Sequence, residues 1–226
     1  MQDIKDLLLK LKPLTADHNK NIDAIEAMVE EWIRNEPDNN NKVQALTILA
    51  LIEQYPPLAD PFTSTNMLER ALALDENNIT ALLLLAFVHY YQRGGVDEAL
   101  KNNLLSVHTN DPEVKSILTY AASWHYSGKD DAEHEKLLLL ESIKLWDKHV
   151  WNHVHLAKLY ITEGQKAKAK KTVLKALDNI VYVYSNECKE FDEINIPEFI
   201  NAYIKGINIT QPNLESIQEL LKKASA

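Results

Sequence analysis

Apolar residues recur along this chain at the three- and four-residue steps that place side chains on one face of an α-helix. The pattern continues almost throughout, and only 5 Gly and 8 Pro interrupt it in 226 residues. It therefore predicts a nearly all-helical protein with short connections. We interpret the β-prone stretch IVYVYS at 180–185 as the end of a long helix, with a short strand as the alternative.

Four apolar segments within this pattern are similar to one another. A large apolar anchor stands at the same place in each, and successive anchors are 34, 35 and 36 residues apart. The anchors are Leu51, Leu85, Tyr120 and Leu156. The residue after the anchor is small in three segments, as Ala86, Ala121 and Ala157. A repeat of this length predicts stacked supersecondary units that share one core.

Each segment is followed by a helix-breaking sequence and then by a second helical segment. The breaks contain Pro56-Pro57, Gly94-Gly95, Gly128 and Gly164. The second segments carry small residues at Ala71, Ser106, Ser142 and Ala176, which are again 34 to 36 positions apart. We expect the small residues to let paired helices approach closely, while the anchors fill the space between neighbouring pairs.

Two helices in each repeat of about 34 residues resemble the tetratricopeptide repeat family. The unit WNHVHLAKLYITEGQKAKAKKTVLKAL at 151–177 carries the resemblance best, although His153 stands where a tryptophan is usual. Its family-like residues are Leu156-Ala157, Tyr160, Gly164, Ala169 and Ala176. The resemblance implies an all-α fold, namely a right-handed α-α superhelix of about five helical hairpins with N- and C-terminal capping helices.

The repeat register also predicts the domain organisation. Residues 1–226 are expected to form a single solenoid domain that begins with a degenerate hairpin at 1–44. The further repeats are expected at 45–78, 79–113, 114–149 and 150–183, and the C-terminal capping helices at 184–226. Within this last segment the apolar pattern predicts helices at 196–205 and 214–224.

In tetratricopeptide proteins the first helices of the hairpins line a concave groove that holds peptides or partner helices. By resemblance, the partner-binding residues of this chain are Leu83, Phe87, Tyr90, Tyr91, Leu118, Ala122, His125, Tyr126, Trp151, Val154, His155 and Lys158. Most are apolar or aromatic, which favours an amphipathic helix or an extended apolar segment as the ligand. The alternatives are that the capping helices or a second copy of the chain fill the groove.

The family's clamp for a C-terminal carboxylate, which is made of Lys and Asn, is not expected in this chain. Lys115 and Lys158 match it, but apolar or aromatic residues stand at most of the other clamp positions. We therefore predict that the groove does not bind its partner through a terminal carboxylate.

Charge and composition narrow the class of partner. The formal net charge of −9 argues against nucleic acid and membrane surfaces and suits a basic protein. The longest uncharged stretch, 79–92, is too short to span a bilayer. The N-terminal residues 1–14 scatter charges among apolar residues and are not predicted to be a signal peptide. With Cys188 as the single cysteine, we expect a cytoplasmic location.

The sequence HVWNHVH at 149–155 raises the question of a metal site. His149 and His153 are four residues apart, but a zinc protease of the H-E-x-x-H type needs a glutamate between them as general base. In the repeat register His149 lies in a turn, His153 at a packing position and His155 on the inner helix face. We therefore predict packing or surface roles and no metal site.

Other residues that could carry chemistry give weak signals. His125, Asp130, Asp131 and His134 surround the Gly128 turn, where polar residues are expected in any case. Cys188 has no histidine nearby in the sequence that could activate it. The chain contains no P-loop, dinucleotide-binding or nucleophile-elbow motif. We therefore predict no catalytic residues, no bound metal and no cofactor.

The lysines of the segment 166–175 could bind nucleic acid or an acidic peptide. They are Lys166, Lys168, Lys170, Lys171 and Lys175. We interpret them as the solvated convex face of an outer helix, since the rest of the chain is acidic.

Taken as a whole, the sequence predicts a non-catalytic scaffold that binds a protein or peptide in an apolar and aromatic groove. The alternative is an acidic antidote, immunity-type or chaperone protein that sequesters one dedicated partner, such as a basic toxin. Small size and a net charge of −9 motivate this alternative. The sequence leaves the partner and the oligomeric state open.

Overall fold

A computed structural model describes residues 4–15, 18–54, 60–127, 129, 131–183 and 214–225. Within these residues the regular secondary structure is eleven helices: α1 Ile4–Thr15, α2 His18–Asn35, α3 Asn39–Gln54, α4 Pro61–Leu74, α5 Ile79–Arg93, α6 Glu98–Ser106, α7 Pro112–Ser123, α8 Ala132–Leu145, α9 Val150–Thr162, α10 Lys166–Val183 and α11 Leu214–Ser225. They pack as consecutive hairpins, which confirms the predicted all-α fold. None of the described helices is long and apolar enough to cross a membrane.

Several sequence-based predictions can be compared with these bounds. The β-prone stretch is helical up to Val183, where α10 ends, and its last two residues lie outside the described part of the chain. The helix predicted at 196–205, and Cys188, also lie outside it. The helix predicted at 214–224 is α11. The division of 1–226 into one solenoid domain with the repeat boundaries given above stays a prediction.

Aspartates in the turns start four of the helices. Asp60, Asp97, Asp111 and Asp131 are the N-cap residues of α4, α6, α7 and α8. Each carboxylate accepts a hydrogen bond from a backbone N–H of the first helical turn, for example from Leu100 at 2.8 Å in α6. A proline with a helical backbone angle follows two of the caps, as Pro61 and Pro112. Capping aspartates in short polar turns therefore determine where these four helices begin.

The described residues form two compact units, Met1–Gln92 and Arg93–Ala226. In the first unit α1 packs on α2 and α3, α2 on α3, and α3 on α4. Helix α3 is buried over almost its whole C-terminal half, and α5 is buried from Ala81 to Ala86. The Ser64 hydroxyl of α4 is also buried and donates to the carbonyl of Ala50 across 2.9 Å, so a polar contact joins α3 and α4 inside the core.

In the second unit α6 packs on α7, α7 on α8, α8 on α9, and α9 on α10. Helix α11 then packs against both α9 and α10. Gly164 ends the turn after α9 with a positive φ of 72°, as a helix-terminating glycine should. Gly95 has a different reason to be glycine, because a Cβ there would lie 2.5 Å from the Trp124 carbonyl oxygen. Only glycine allows this approach of two backbones.

All but one of the anchors and small residues that the repeat register predicts to be buried are buried. The anchors Leu51, Leu85, Tyr120 and Leu156 are buried, and so are Ala86, Ala121 and Ala157. Of the small residues in the second helices, Ala71, Ser142 and Ala176 are buried. Ser106 differs, because α6 ends there after only nine residues and the side chain is exposed. Leu100 and Leu104 provide the buried face of α6 instead.

Candidate functional site

Three aromatic rings lie together at the end of α5 and form what we call the aromatic cluster: Phe87, Tyr90 and Tyr91. The Phe87 and Tyr91 ring centroids are 4.4 Å apart with a tilt of 51° between the planes. Tyr90 meets Tyr91 edge-on at 5.6 Å. Tyr91 is 71% exposed, while the other two rings are half-buried. The cluster therefore presents a pre-assembled aromatic surface to solvent.

The local sequence explains why these rings stand where they do. Phe87 and Tyr91 are four residues apart, so they lie on the same face of α5. The preceding turns of the helix are fixed by the buried run Ala81–Ala86. Leu83, which we predicted to line the groove, belongs to this buried run. The cluster is thus carried by a helix whose preceding turns are buried in the core.

A second group of side chains, which we call the Tyr126 cluster, surrounds the turn after α7 and includes residues of α6 and α8. It consists of Glu98, Lys101, His125, Tyr126 and His134. The imidazole of His134 stacks on the Tyr126 ring at 5.2 Å, and Lys101 Nζ lies 5.3 Å from the centroid of that ring. Lys101 Nζ is also 3.4 Å from the Tyr126 hydroxyl. Tyr126 is therefore held by polar neighbours rather than presented as a free apolar surface.

The charges around Tyr126 are satisfied within the protein. Lys101 Nζ donates to Glu98 Oε1 at 2.7 Å, and His125 Nε2 lies 2.9 Å from Glu98 Oε2. The hydrogen bond from Lys101 is the main reason that the pKa of Glu98 lies below its ordinary value. His134 Nδ1 lies 2.7 Å from Asp131 Oδ1, and this bond lowers the pKa of Asp131. Lys101 and the two imidazoles therefore each have a carboxylate partner.

The residues that surround the Gly128 turn in the sequence are divided between these pairs. His125 is bound to Glu98, whereas His134 is bound to Asp131, so the two imidazoles belong to separate pairs. Asp130 and Gly128 lie outside the described residues. The arrangement gives a polar, half-buried surface without a nucleophile and base aimed at a common point.

The three histidines of HVWNHVH have separate partners. His149 is the N-cap residue of α9, and its Nδ1–H donates to Asn152 Oδ1 across 2.8 Å. His153 Nε2 donates to the carbonyl of Asp147 across 2.8 Å. His155 Nε2 lies 3.4 Å from the Tyr120 hydroxyl. Within the described part of the chain, no group of three or more His, Cys, Asp or Glu residues is placed to hold a metal ion.

Burial makes all three imidazoles harder to protonate. It lowers the pKa of His149 to about 4 and that of His155 to about 3, and it also lowers the pKa of His153. The Tyr120 ring meets His149 at 4.8 Å and His155 at 5.4 Å, both edge-on. The Tyr120 ring thus packs against both imidazoles, which are neutral near pH 7 because of their low pKa values.

A buried hydrogen-bond network joins α7, α8 and α9. The Asn152 amide donates to Ser142 Oγ at 2.7 Å, and Ser142 Oγ donates to the Ser116 carbonyl at 2.6 Å. Ser116 Oγ lies 2.9 Å from Ser142 Oγ. Asn152 Oδ1 accepts from His149, so the network ends at the start of α9. All four side chains are buried, which makes this network structural.

His153 has a related structural role at the position where the family usually has tryptophan. The carbonyl of Asp147, in the turn between α8 and α9, accepts hydrogen bonds from His153 and from the Asn179 amide of α10. The Asp147 carboxylate pairs with Lys175 at 3.0 Å. The turn is therefore fixed to both helices of the next hairpin.

Trp151 and Val154, which we predicted to bind a partner, lie at an apolar cluster that also includes residues of the C-terminal helix. Val154 belongs to a buried cluster that includes Ile217 and Leu220 of α11, and Trp151 packs against this cluster. One alternative raised by the sequence was that a capping helix would fill the predicted surface. Val154 shares its cluster with two residues of α11, and the filling of the whole groove by a capping helix stays a prediction.

The twelve predicted partner-binding residues therefore fall into two groups. Five are buried: Leu83, Leu118, Ala122, His125 and Val154. The others have exposed or half-buried side chains: Phe87, Tyr90, Tyr91, Tyr126, Trp151, His155 and Lys158. Within single units, the structure brings together the three rings of α5, and it places Trp151 beside Val154. That all twelve share one concave face stays a prediction.

The lysines of α10 are mostly exposed, as predicted. Lys166, Lys170 and Lys171 make no ion pair with any residue that the structure describes. Lys175 pairs with Asp147, and Lys168 Nζ lies 5.5 Å from the centroid of the Tyr160 ring. The other face of the helix is buried through Ala169, Val173 and Ala176.

Sequence patterns alone did not indicate several residues of these clusters. Glu98 and Lys101 carry no motif, and they reach Tyr126 only because α6 packs on α7. Ser142 could have been recognised, since a hydroxyl at a repeat position occupied elsewhere by alanine suggests a buried hydrogen bond. Its partner Asn152 gave no such signal.

Comparisons with known proteins agree with the architecture. The chain is similar to the solved structure of the MamA RS-1 ArsTM double mutant, with a TM-score of 0.60, 17% sequence identity and coverage of 82% of this chain and 99% of that chain. MamA is a tetratricopeptide repeat protein, and the likeness confirms the predicted helical-hairpin fold. No protein-family model matches the chain, and no curated protein matches it.

Proposed function

We propose that this chain is a non-catalytic scaffold that binds a protein partner through the aromatic cluster on α5. Folds of the tetratricopeptide type generally serve as protein-interaction scaffolds and are typically non-catalytic. The single observation that carries the proposal is the exposure of Tyr91, at 71%, within a group of three touching rings.

The physical argument rests on what a partner gains by covering these rings. Tyrosine and phenylalanine bring a large apolar area with few rotatable bonds, and tyrosine adds a hydroxyl for hydrogen bonding. Such residues often contribute ~2 kcal/mol or more at the centre of an interface. Because Tyr91 already contacts Phe87 and Tyr90, its ring is partly ordered before binding. We therefore expect most of the contact energy to appear as affinity.

The chemistry of the cluster indicates the kind of segment that it accepts. Three adjacent aromatic rings suit an apolar or aromatic side chain of a helix or extended peptide. The net charge of −9 adds a long-range preference for a partner that is basic elsewhere on its surface. The proposed ligand is thus an apolar segment that belongs to a neutral or basic protein.

Capture experiments with matched variants test the proposal. The full chain would be immobilised and used to isolate partners from its native host, with the Tyr91→Ala and Phe62→Ala variants in parallel. Phe62 is a suitable control because it is 85% exposed on α4 and lies outside the aromatic cluster. We expect Tyr91→Ala to lower the affinity for the captured partner by roughly thirtyfold and Phe62→Ala to leave that affinity unchanged. Equal loss in both variants, or no loss with Tyr91→Ala, would contradict the proposal.

A dedicated partner, in the manner of an antidote or chaperone, is the second candidate. The net charge of −9 favours it, because an acidic surface suits the sequestration of one basic protein. The same capture experiment separates the two candidates. Capture of several unrelated proteins indicates an adaptor. Capture of one basic protein, in a one-to-one ratio with the immobilised chain and released at high salt, indicates sequestration.

A further inference from the structure

Helix α10 carries a concentration of positive charge that is unusual in this acidic chain. Its first twelve residues, KAKAKKTVLKAL at 166–177, contain five lysines and no acidic residue, whereas the formal net charge of the whole chain is −9. Asp178 is the first acidic residue of the helix. The charge of the chain is therefore reversed locally along about three turns of one helix.

The buried side of α10 determines which of these side chains point to solvent. Ala169, Val173 and Ala176 are buried, and their spacing of i, i+4 and i+7 places them on one side of the helix. The opposite side and its flanks are exposed, and Leu174 there is 44% exposed. We call the exposed residues at the start of this helix the lysine face: Lys166, Ala167, Lys168, Lys170, Lys171 and Leu174.

Most of the positive charge of the lysine face is not balanced by neighbouring carboxylates. Lys166, Lys170 and Lys171 make no ion pair with any residue that the structure describes. Lys136 of α8, by contrast, pairs with two glutamates. Within the described part of the chain, three ammonium groups of the lysine face are therefore accessible to a ligand.

The lysines also oppose the stability of the helix that carries them. Lys166 and Lys170 are four residues apart, as are Lys171 and Lys175, and like charges at this spacing destabilise a helix. Lys166 and Lys168 stand in the first turn, where the helix dipole disfavours positive charge and where α10 has no acidic residue. Such a local conflict at exposed positions is expected at a functional site rather than on a surface that only meets water.

We propose that the lysine face binds an acidic amphipathic segment of a partner protein. Carboxylates of the segment pair with Lys170 and Lys171, and its apolar side chains cover Leu174 and Ala167. The proposal goes beyond the proposed function, because it assigns a second site of opposite charge preference. This site uses none of the residues of the aromatic cluster.

The extent of the lysine face favours a short protein segment over a nucleic acid or a membrane. From Lys166 to Leu174 the face extends about 12 Å along the helix axis, which matches a peptide of about two to three helical turns. A polynucleotide or a bilayer extends beyond the face and meets the acidic residues that give the chain its net charge of −9. The face also contains no arginine, the residue that recognises phosphate through two parallel hydrogen bonds.

Peptide binding to the full chain tests the proposal. The probe is a fluorescein-labelled peptide of three Glu-Glu-Leu-Ala repeats, and binding is measured by fluorescence anisotropy at low ionic strength. The test variant carries Lys170→Glu and Lys171→Glu. The matched control carries Lys10→Glu and Lys144→Glu, which change the net charge by the same amount at exposed positions of α1 and α8.

We expect the test variant to bind the peptide at least roughly tenfold more weakly than the unchanged chain, because ion pairs are replaced by repulsions. The control variant should bind it nearly as well as the unchanged chain. Leu174→Ala should lower the affinity for this peptide, but not for a peptide of three Glu-Glu-Ala-Ala repeats, which has the same charge and no leucine. In lysine acetylation followed by mass spectrometry, the bound peptide should protect Lys170 and Lys171 but not Lys144.

The proposal is overturned if the unchanged chain does not bind the peptide, or if the control variant loses as much affinity as the test variant. It is also overturned if a seven-nucleotide oligothymidylate, which has the same charge as the peptide, or vesicles of phosphatidylglycerol bind the lysine face more tightly than the peptide does. The ligand is then a nucleic acid or a membrane.

Folding of the test variant is checked by its helical circular dichroism and melting transition. If the two glutamates prevent folding, the milder pair Lys170→Gln and Lys171→Gln is measured in the same way, with the same outcomes. No measurement uses Tyr91 or a native partner. A negative result therefore removes the lysine face as a binding site without affecting the test of the aromatic cluster, and the converse also holds.

Discussion

Asn152 Nδ2 lies 2.7 Å from Ser142 Oγ, and neither side chain is exposed to solvent. The contact joins α8 to α9 inside the second unit, where a lost hydrogen bond cannot be replaced by water. Since Asn152 also accepts from His149, one side chain satisfies groups on two sides. Its substitution therefore affects more than one hydrogen bond.

Replacing Asn152 with alanine should destabilise the protein by ~1–3 kcal/mol or more, because Ser142 and the donor of His149 are left buried without this partner. Urea denaturation followed by circular dichroism measures the change. Asn103→Ala is the control, since Asn103 is exposed on α6 and should alter stability by less than ~0.5 kcal/mol. Equal stability of the two variants would show that the network contributes nothing.

Ala157→Leu should lower the melting temperature, because Ala157 of α9 is completely buried in a cluster with residues of α10 and α11. The extra carbon atoms have no space there, and overpacking of this kind costs ~1–3 kcal/mol. Ala167→Leu makes the same chemical change at an exposed position of α10 and should be nearly neutral. A melting temperature for Ala157→Leu at or above that of the control would contradict the packing register.

Stability should fall when the pH drops below about 6.5, because the buried His149 and the half-buried His155 resist protonation. Their pKa values are lowered to about 4 and about 3, so the unfolded chain binds protons at a higher pH than the folded chain. The stability that depends on these two histidines being neutral is fully present above the unfolded pKa of 6.5. It is lost progressively as the pH falls towards 4.

His155→Leu should therefore reduce the pH dependence of the unfolding free energy by about 1.4 kcal/mol per pH unit between pH 6 and 5. Urea titrations at several pH values provide the measurement. His108→Leu, at an exposed position, serves as the control. The assignment fails if both variants keep the slope of the unchanged chain.

Glu53→Gln should stabilise the protein at pH 8. Burial raises the pKa of Glu53 to about 8, with a further contribution from the hydrogen bond and charge of Glu26 and from the charge of Asp60. A raised folded pKa means that the stability contribution is complete below the unfolded pKa of 4.5 and is lost as the pH rises through about 8. Glutamine keeps the shape of the side chain but has no group that ionises in this pH range.

The melting temperatures of Glu53→Gln and the unchanged chain should therefore converge at low pH and separate as the pH rises. Glu69→Gln, on the exposed face of α4, is the control and should follow the unchanged chain throughout. A difference that is the same at pH 5 and pH 8 would indicate a packing effect instead of titration.

The sequence was sufficient for the hairpins because their signal is local and repeated. Leu85, Ala121 and Ala157 each lie where the repeat register predicts burial, and a period shared by several units is hard to produce by chance. The exposed Ser106 shows the limit of that reasoning. The register places a small residue there, but α6 ends at Ser106 after nine residues and leaves this side chain exposed.

The candidate site was predicted less well, because exposure depends on neighbours that are distant in the sequence. Val154 has the spacing of a groove residue, yet Ile217, 63 positions later, shares its buried cluster. Tyr126 looks like an apolar anchor in the sequence, but Lys101 and His134 surround its ring. Tyr91 is 71% exposed, so its side chain is accessible, and its role in binding a partner stays a prediction.

The network from Ser116 to Asn152 has a consequence for the modularity of this chain. In an idealised repeat protein, hairpins can be duplicated or reordered because every interface is the same. Here Asn152 needs the hydroxyl of Ser142, whereas the equivalent position in α4 is Ala71. If α9 and α10 were grafted directly after α4, they would bury an amide that has no partner. The order of the hairpins is therefore specified by their polar contacts, although the apolar repeat would permit other orders.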